Sequence, residues 1–364
     1  MSETPTNMKT LLAFFAAIPA IALSAPVYIG TGADGIYFAN FDTEKGTLTE
    51  PIRAAEYERP GFLALHPEKP VLLAVGGKNK VAAFAIHTDH SLRFLGDADS
   101  GGKGPCHLAV DASGRTVAVA NYGGGSITTL RLDADGKPGK TATCIKIKGS
   151  GPNKKRQNEA HTHGVYFDNS NRFLFVPDLG IDKVLIYRFD PASSEIAANT
   201  LDSLVSTPGA GPRHMAFSPD EKHAYIVNEL DNTVTAAGFD RSTGALTTIA
   251  AVPTLPDDFT EHSSTAEIEV HPSGKFVYAS NRGHDTIAVF QRDPDSGKLT
   301  LLQHAACGGS KPRHFKIDPS GKWLLCGLQT DNSISVLPID PNTGLLGAPQ
   351  SIVKSPAPIC LLFP

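Results

Sequence analysis

The sequence predicts an all-β protein, a seven-bladed β-propeller whose last blade is closed by N- and C-terminal strands. Three observations carry this. A unit of apolar run, polar turn, apolar run, polar turn and apolar run recurs along the chain. The recurrence has a nearly constant step. The final copy lacks strands that the start of the chain can supply.

The unit is clearest in residues 211–240, GPRHMAFSPDEKHAYIVNELDNTVTAAGFD. Met215 to Phe217, Ala224 to Val227 and Thr233 to Phe239 are short runs rich in β-branched, small and aromatic residues. Turn residues separate them, which favours strands over helices. Residues 60–86, 104–132, 161–190, 264–293 and 311–340 repeat the pattern. Aligned on Pro212, their anchors are Pro60, Pro105, Thr162, Thr265 and Pro312, and Pro358 begins a seventh copy. The steps are 45, 57, 50, 53, 47 and 46 residues. Periods of roughly 40–50 residues with several strands per unit indicate propeller blades. The seventh copy has only its inner strand, residues 359–363. The strand-like segments 27–30 and 36–41 are positioned to complete it, and such closure removes an open sheet edge.

The N-terminus has another character. Residues 11–23 form an apolar run behind Lys9, and Ala22-Leu23-Ser24 precedes Ala25 as a small-x-small cleavage site. The expectation is a signal peptide over residues 1–24 and a propeller over 25–364, placing the protein in the periplasm or outside the cell. It is cytoplasmic if that signal is not used. After cleavage nothing predicts membrane attachment. A net charge of −4 gives no general reason to bind nucleic acid. The basic run Lys154-Lys155-Arg156 reads as a solvated loop. Five scattered cysteines without paired spacing offer no zinc motif, and their odd number leaves a free thiol.

The repeat locates a site. One residue after the anchor stand Cys106, His163, Arg213, Ala266 and Arg313. Seventeen after it stand Tyr122, Leu179, Glu229, Arg282 and Gln329. An antiparallel hairpin brings these two positions together on one face of the ring, around its axis. Charged groups converging there suggest a functional funnel. His107, His214 and His314 share a position two after the anchor and read as structural. Asn121, Asp178, Asn228 and Asn281 share another and read as turn ties. The inserted loop 149–160 accounts for the longest step and belongs on the binding face.

The segments HTHGVYFDNSNRFLFVPDLGIDKVLIY, GPRHMAFSPDEKHAYIVNEL and AEIEVHPSGKFVYASNRGHDTIAVF resemble the seven-bladed lactonase family, which includes propeller-type 6-phosphogluconolactonases and fungal carboxy-muconate cyclases. The resemblance runs from about Val27 to Pro364. It implies a lactone hydrolase acting on a sugar lactone or phospholactone. It also implies a catalytic set of His163, Arg213, Glu229 and Arg282, with no cofactor and no metal. Arg313, His107, Tyr122 and Glu267 are expected to bind an anionic small-molecule lactone. Glu229 as base and His163 as proton donor is one assignment; the reverse is the other. Three alternatives stand beside this reading. They are a calcium-dependent lactonase using Asp178, Asn228, Asn281 and Glu267, a muconate-type cycloisomerase, and a non-catalytic binding propeller.

Overall fold

The computed structural model describes residues 24–364. The expected signal sequence therefore lies, but for Ser24, outside the described residues. Seven antiparallel sheets of four or five strands form the ring. Blade 4 is representative. Its strands run in order from the axis outward as Pro212–Phe217, His223–Asn228, Thr233–Asp240 and Ala245–Pro253.

Blade 7 is built as the repeat count requires. Pro358–Leu362 is its inner strand and pairs with Ser24–Thr31, with Tyr28 opposite Leu362 and Ile29 opposite Leu361. Ile36–Asp42 follows outward. The two ends of the chain thus share one sheet, and the ring closes through backbone hydrogen bonds.

The strands read as continuous apolar runs because each blade is buried on both faces. Side chains alternate between faces with period two. In Phe276–Arg282 of blade 5, Phe276 and Tyr278 pack toward blade 6 with Phe315 and Cys326. Val277 and Ala279 pack toward blade 4 with Tyr225 and Val227. The buried apolar residues divide into seven such clusters, one for each blade interface. Each large side chain fully buried there contributes about 1.5–3 kcal/mol relative to exposure. This rigid wheel fixes where the loops at its axis point. All five cysteines are free thiols.

Candidate active site

A recurrent backbone irregularity builds the axial site. In blade 4, Pro212 pairs with Asn228 but His214 pairs with Val227, so Arg213 is an extra residue. The same bulge lies between Pro312 and His314 in blade 6, and between Pro105 and His107 in blade 2. A regular strand would send neighbouring residues to opposite faces. A bulge re-aims one of them, so Arg213 and His214 both reach the channel. Arg213 Nη1 lies 3.2 Å from the His214 ring nitrogens.

The upper layer is centred on the carboxylate of Glu229. Arg213 donates from Nε to Oε2 at 3.0 Å, and Arg282 from Nη2 to the same oxygen at 3.0 Å. Arg156 donates from Nη2 to Oε1 at 2.6 Å. His163 Nε2 stands 4.0 Å from Oε2. Backbone carbonyls hold the arginines in place: Arg213 Nη1 donates to Ala266 O at 2.6 Å and Arg282 Nη2 to Thr265 O at 2.7 Å. Tyr122 accepts from Arg156 at 3.3 Å, and its ring stacks on His161 at 4.5 Å. Arg313 lies in the same funnel and its charge reaches His163. The structure thus brings together His163, Arg213, Glu229, Arg282, Tyr122 and Arg313.

Burial alone would raise the Glu229 carboxyl. Arg282 and Arg213, then His163 and Arg156, more than offset it and hold the group well below the usual carboxylate range. Burial, then Arg213 and His214, pushes His163 well below its ordinary value, so its imidazole is neutral at pH 7. Arg282 and Arg313 are pushed down to about 10 by burial and remain cationic at neutral pH. The Cys106 thiol, whose Sγ is 3.9 Å from His163 Nδ1, is pushed up to about 12 by burial and stays protonated.

His107 and Glu267 do not join this group. They lie one step further along the inner strands, in a deeper layer. Together with Tyr166 and His314 they line a cavity of about 390 Å³ that opens at the other end of the axis. Glu267 receives His214 Nδ1 at 3.0 Å and His314 Nε2 at 3.4 Å. His107 and His314 accept through Nδ1 from Val165 N at 3.3 Å and Leu361 N at 3.2 Å, tying blade 2 to blade 3 and blade 6 to blade 7. Burial keeps these imidazoles neutral, His107 down to about 3 and His314 to about 4. The structural reading of the histidine column fits these contacts. His107 and Glu267, expected to bind substrate, thus stand outside the Glu229 funnel, in the layer beneath it.

The turn-tie column also fits. Asp178 Oδ1 accepts from His161 N at 2.8 Å and Gly180 N at 2.9 Å. Asn228 donates to Thr233 and Thr235, and Asn281 to Thr254 O. Asp178 and Asn228 tie their own blades, whereas Asn281 ties blade 5 to the segment leaving blade 4. The oxygen set weighed for calcium therefore does not converge, and no group of three or more His, Cys, Asp or Glu among the described residues is arranged to hold a metal ion.

Arg156 is the residue that sequence reasoning missed. Lys154 and Lys155 are exposed, as a solvated loop requires, but Arg156 turns inward. Gln157, fully buried, anchors the loop by donating to Leu179 O at 2.8 Å and Asp182 Oδ1 at 2.6 Å. Gly180 lets the loop approach, because a Cβ there would lie 1.9 Å from Glu159 O. The signal available in the sequence was the insertion itself. Its basic composition concealed which residue it delivers.

Known proteins place this geometry. The family profile described as "Lactonase, 7-bladed beta-propeller" matches residues 26–363. The chain is 36% identical to a 6-phosphogluconolactonase of Bacillus subtilis over 297 residues, 79% of this chain and 83% of the relative. It is 33% identical to a 6-phosphogluconolactonase of Formosa agariphila over 306 residues, 80% and 86% of the two chains. The solved periplasmic gluconolactonase of Pseudomonas aeruginosa superposes with a TM-score of 0.88 at 26% identity, over 93% of this chain and 99% of that one. The chain belongs to the seven-bladed β-propeller lactonase family.

Proposed function

We propose that this protein hydrolyses a sugar lactone to its aldonic acid, with His163 as the group that moves the proton. The observation that carries the reading is a neutral, buried imidazole 4.0 Å from a carboxylate held by three arginines. A lactonase must activate water, stabilise a tetrahedral oxyanion and protonate the departing alkoxide. The neutral His163 accepts the proton from water as the water oxygen bonds to the lactone carbonyl carbon. The oxyanion that forms meets guanidinium N–H groups, of which Arg282 and Arg156 are the less buried. The ring C–O bond then breaks, and the imidazolium returns its proton to the alkoxide oxygen. Glu229 steadies the transient imidazolium and orients the arginines. This departs from both assignments open at the outset, because a depressed Glu229 neither takes the proton from water nor holds one to donate. A carboxylate already neutralised by three guanidinium groups is a poor base.

The similarity to 6-phosphogluconolactonases and to a periplasmic gluconolactonase supports the substrate class. The leader-like residues 1–24 support an extracytoplasmic lactone. A cycloisomerase acting on a muconate-type acid would use the same groups. The excess of arginine over carboxylate in the funnel is the feature that favours it as a second reading.

A lactone panel tests the proposal: gluconolactone, its 6-phosphate and a carboxylated muconolactone, each with and without EDTA. The expected result is hydrolysis above background, unaffected by EDTA and lost in Arg282→Ala. Turnover of the muconolactone without net hydrolysis would support the cycloisomerase. No turnover of any substrate would overturn both readings in favour of a binding propeller.

A further inference from the structure

The axial positions are unevenly filled around the ring. The position at the start of the inner strand carries Cys106, His163, Arg213 and Arg313 on blades 2, 3, 4 and 6, but Gly61 on blade 1. The position after the second strand carries Tyr122, Glu229 and Arg282 on blades 2, 4 and 5, but Gly77 on blade 1. Blade 7 has Gly32 there, since Thr31 pairs with Pro358 as Asn228 pairs with Pro212. Three glycines therefore stand where the wheel elsewhere presents larger side chains, with Ala266 of blade 5 the smallest of them.

The space they leave is a cleft of about 390 Å³ between blades 7, 1 and 2, into which Arg313 reaches from blade 6. Cys106 lines it and also approaches His163 Nδ1 at 3.9 Å, so the cleft adjoins the Glu229 funnel. The glycine amides are already engaged: Gly32 N donates to Ala357 O, Gly61 N to Val75 O and Gly77 N to Glu58 O. Glycine here supplies room, not donors.

The charge comes from side chains. Arg59, Lys78 and Arg313 line the cleft against one acid, Glu58. Arg313 Nε is buried and has no hydrogen-bond partner. Glu229, whose charge reaches Arg313, is already shared by Arg156, Arg213 and Arg282. A largely desolvated guanidinium whose attracting carboxylate is already shared by three others is stabilised when a further anion meets it.

We propose that this glycine-lined cleft is the subsite for the far end of the substrate, where Arg313 takes an oxyanion, either a phosphomonoester or a carboxylate. The proposal rests on the lactonase reading for the position of the ring, beside His163. It assigns the discrimination between substituted and plain lactones to Arg313 and to the absence of a side chain at Gly61.

Gly61 permits a specific test. Its φ is not in the left-handed region, and a Cβ there would meet only Arg59 O, at 3.9 Å. Gly61→Leu should fold and fill the cleft. Gly77 offers no such test, because its φ is +47° and a Cβ would come within 2.6 Å of the Tyr57 hydroxyl.

Binding of the product-like acids gluconate, 6-phosphogluconate and glucarate is measured by calorimetry on the chain from Ala25, on Arg313→Gln and on Gly61→Leu, with thermal unfolding as the check on folding. The lactones of gluconate and 6-phosphogluconate are assayed in parallel. One acid with an anionic far end should bind roughly tenfold to a hundredfold more tightly than gluconate. Whether 6-phosphogluconate or glucarate gains more identifies phosphate or carboxylate. Both substitutions should abolish the advantage. Equal affinity for the three acids, or an advantage that survives in a folded Gly61→Leu and Arg313→Gln, overturns the cleft. Discrimination in binding without hydrolysis of any lactone leaves the cleft standing and defeats the lactonase reading. Hydrolysis without discrimination does the reverse.

Discussion

Arg213 and Glu229 meet at 3.0 Å, Nε to Oε2, with both side chains almost wholly buried. They come from the two strands of one hairpin in blade 4, sixteen residues apart, and the bulge at Arg213 is what turns the guanidinium toward the carboxylate. The pair is the centre of a cluster in which a single acid neutralises three bases. That imbalance sets the behaviour expected of each member.

Glu229→Gln removes the counter-charge that Arg156, Arg213 and Arg282 share. Breaking a buried ion pair from one side typically costs about 3–5 kcal/mol, because the remaining charges stay buried and unpaired. Urea denaturation should show a loss of that order, with hydrolysis abolished. Because the folded-state value of Glu229 is depressed, its contribution is present above the ordinary carboxylate range and is lost only in strong acid. A Glu229→Gln protein as stable as the parent at pH 7 would remove Glu229 from the centre of the cluster.

His163→Gln keeps a polar side chain but cannot relay a proton. We expect kcat to fall by roughly 10²–10⁴. In the parent, kcat/KM should stay level as pH falls through 6.5 and decline only below it, since the neutral imidazole is the active form and burial lowers its value. An acid limb at or above pH 6.5 would transfer the base role to another group.

Arg156→Ala tests the residue brought in by the loop. Its side chain is 39% exposed, so its pair with Glu229 adds little to folding. Thermal unfolding should be unchanged while kcat/KM drops about tenfold or more, as expected when a charge-assisted contact to an anion is lost. Unaltered kinetics would reduce the loop to a cover.

Asp178 is the one acid in a column of asparagines. Burial raises its carboxyl to about 6, even though the His161 and Gly180 amides donate to it, and Oδ2 is buried without a partner. A raised folded-state value means that stability from this group is fullest below pH 4 and is lost as pH rises through about 6. Asp178→Asn keeps the acceptor and removes the charge. It should therefore stabilise the protein at pH 7, with a gain that appears between about pH 4 and 6 and then levels off. Thermal midpoints measured across that interval would show it; an equal effect at pH 3.5 and pH 7 would contradict it.

Much of the molecule was legible without coordinates. The anchors from Pro60 to Pro358 count the blades, and the incomplete last copy requires the strand now seen at Ser24–Thr31. The departures of His163, Glu229 and Arg282 from their columns mark the funnel, because a repeat has no packing reason to vary there. Sequence position also separates the column of asparagines and Asp178 from the catalytic set, since a residue type that recurs at one position in four consecutive blades serves the repeat.

The rest depended on tertiary structure. Spacing along a strand assigns a residue to a face only if the strand is regular, and the bulges at Cys106, Arg213 and Arg313 break that rule. The bulge at Cys106 and the irregularity between Thr265 and Ile268 leave His107 and Glu267 in a deeper layer than Arg213, although the repeat sets them only one position further along. Loop 149–160 reads as basic and solvated, and only the anchoring of Gln157 under it shows that Arg156 faces inward. The protonation of the site was equally hidden. His163 is kept neutral first by burial and then by Arg213, and Glu229 is held ionised by Arg282, Arg213, His163 and Arg156; a one-dimensional sequence carries neither those distances nor that burial.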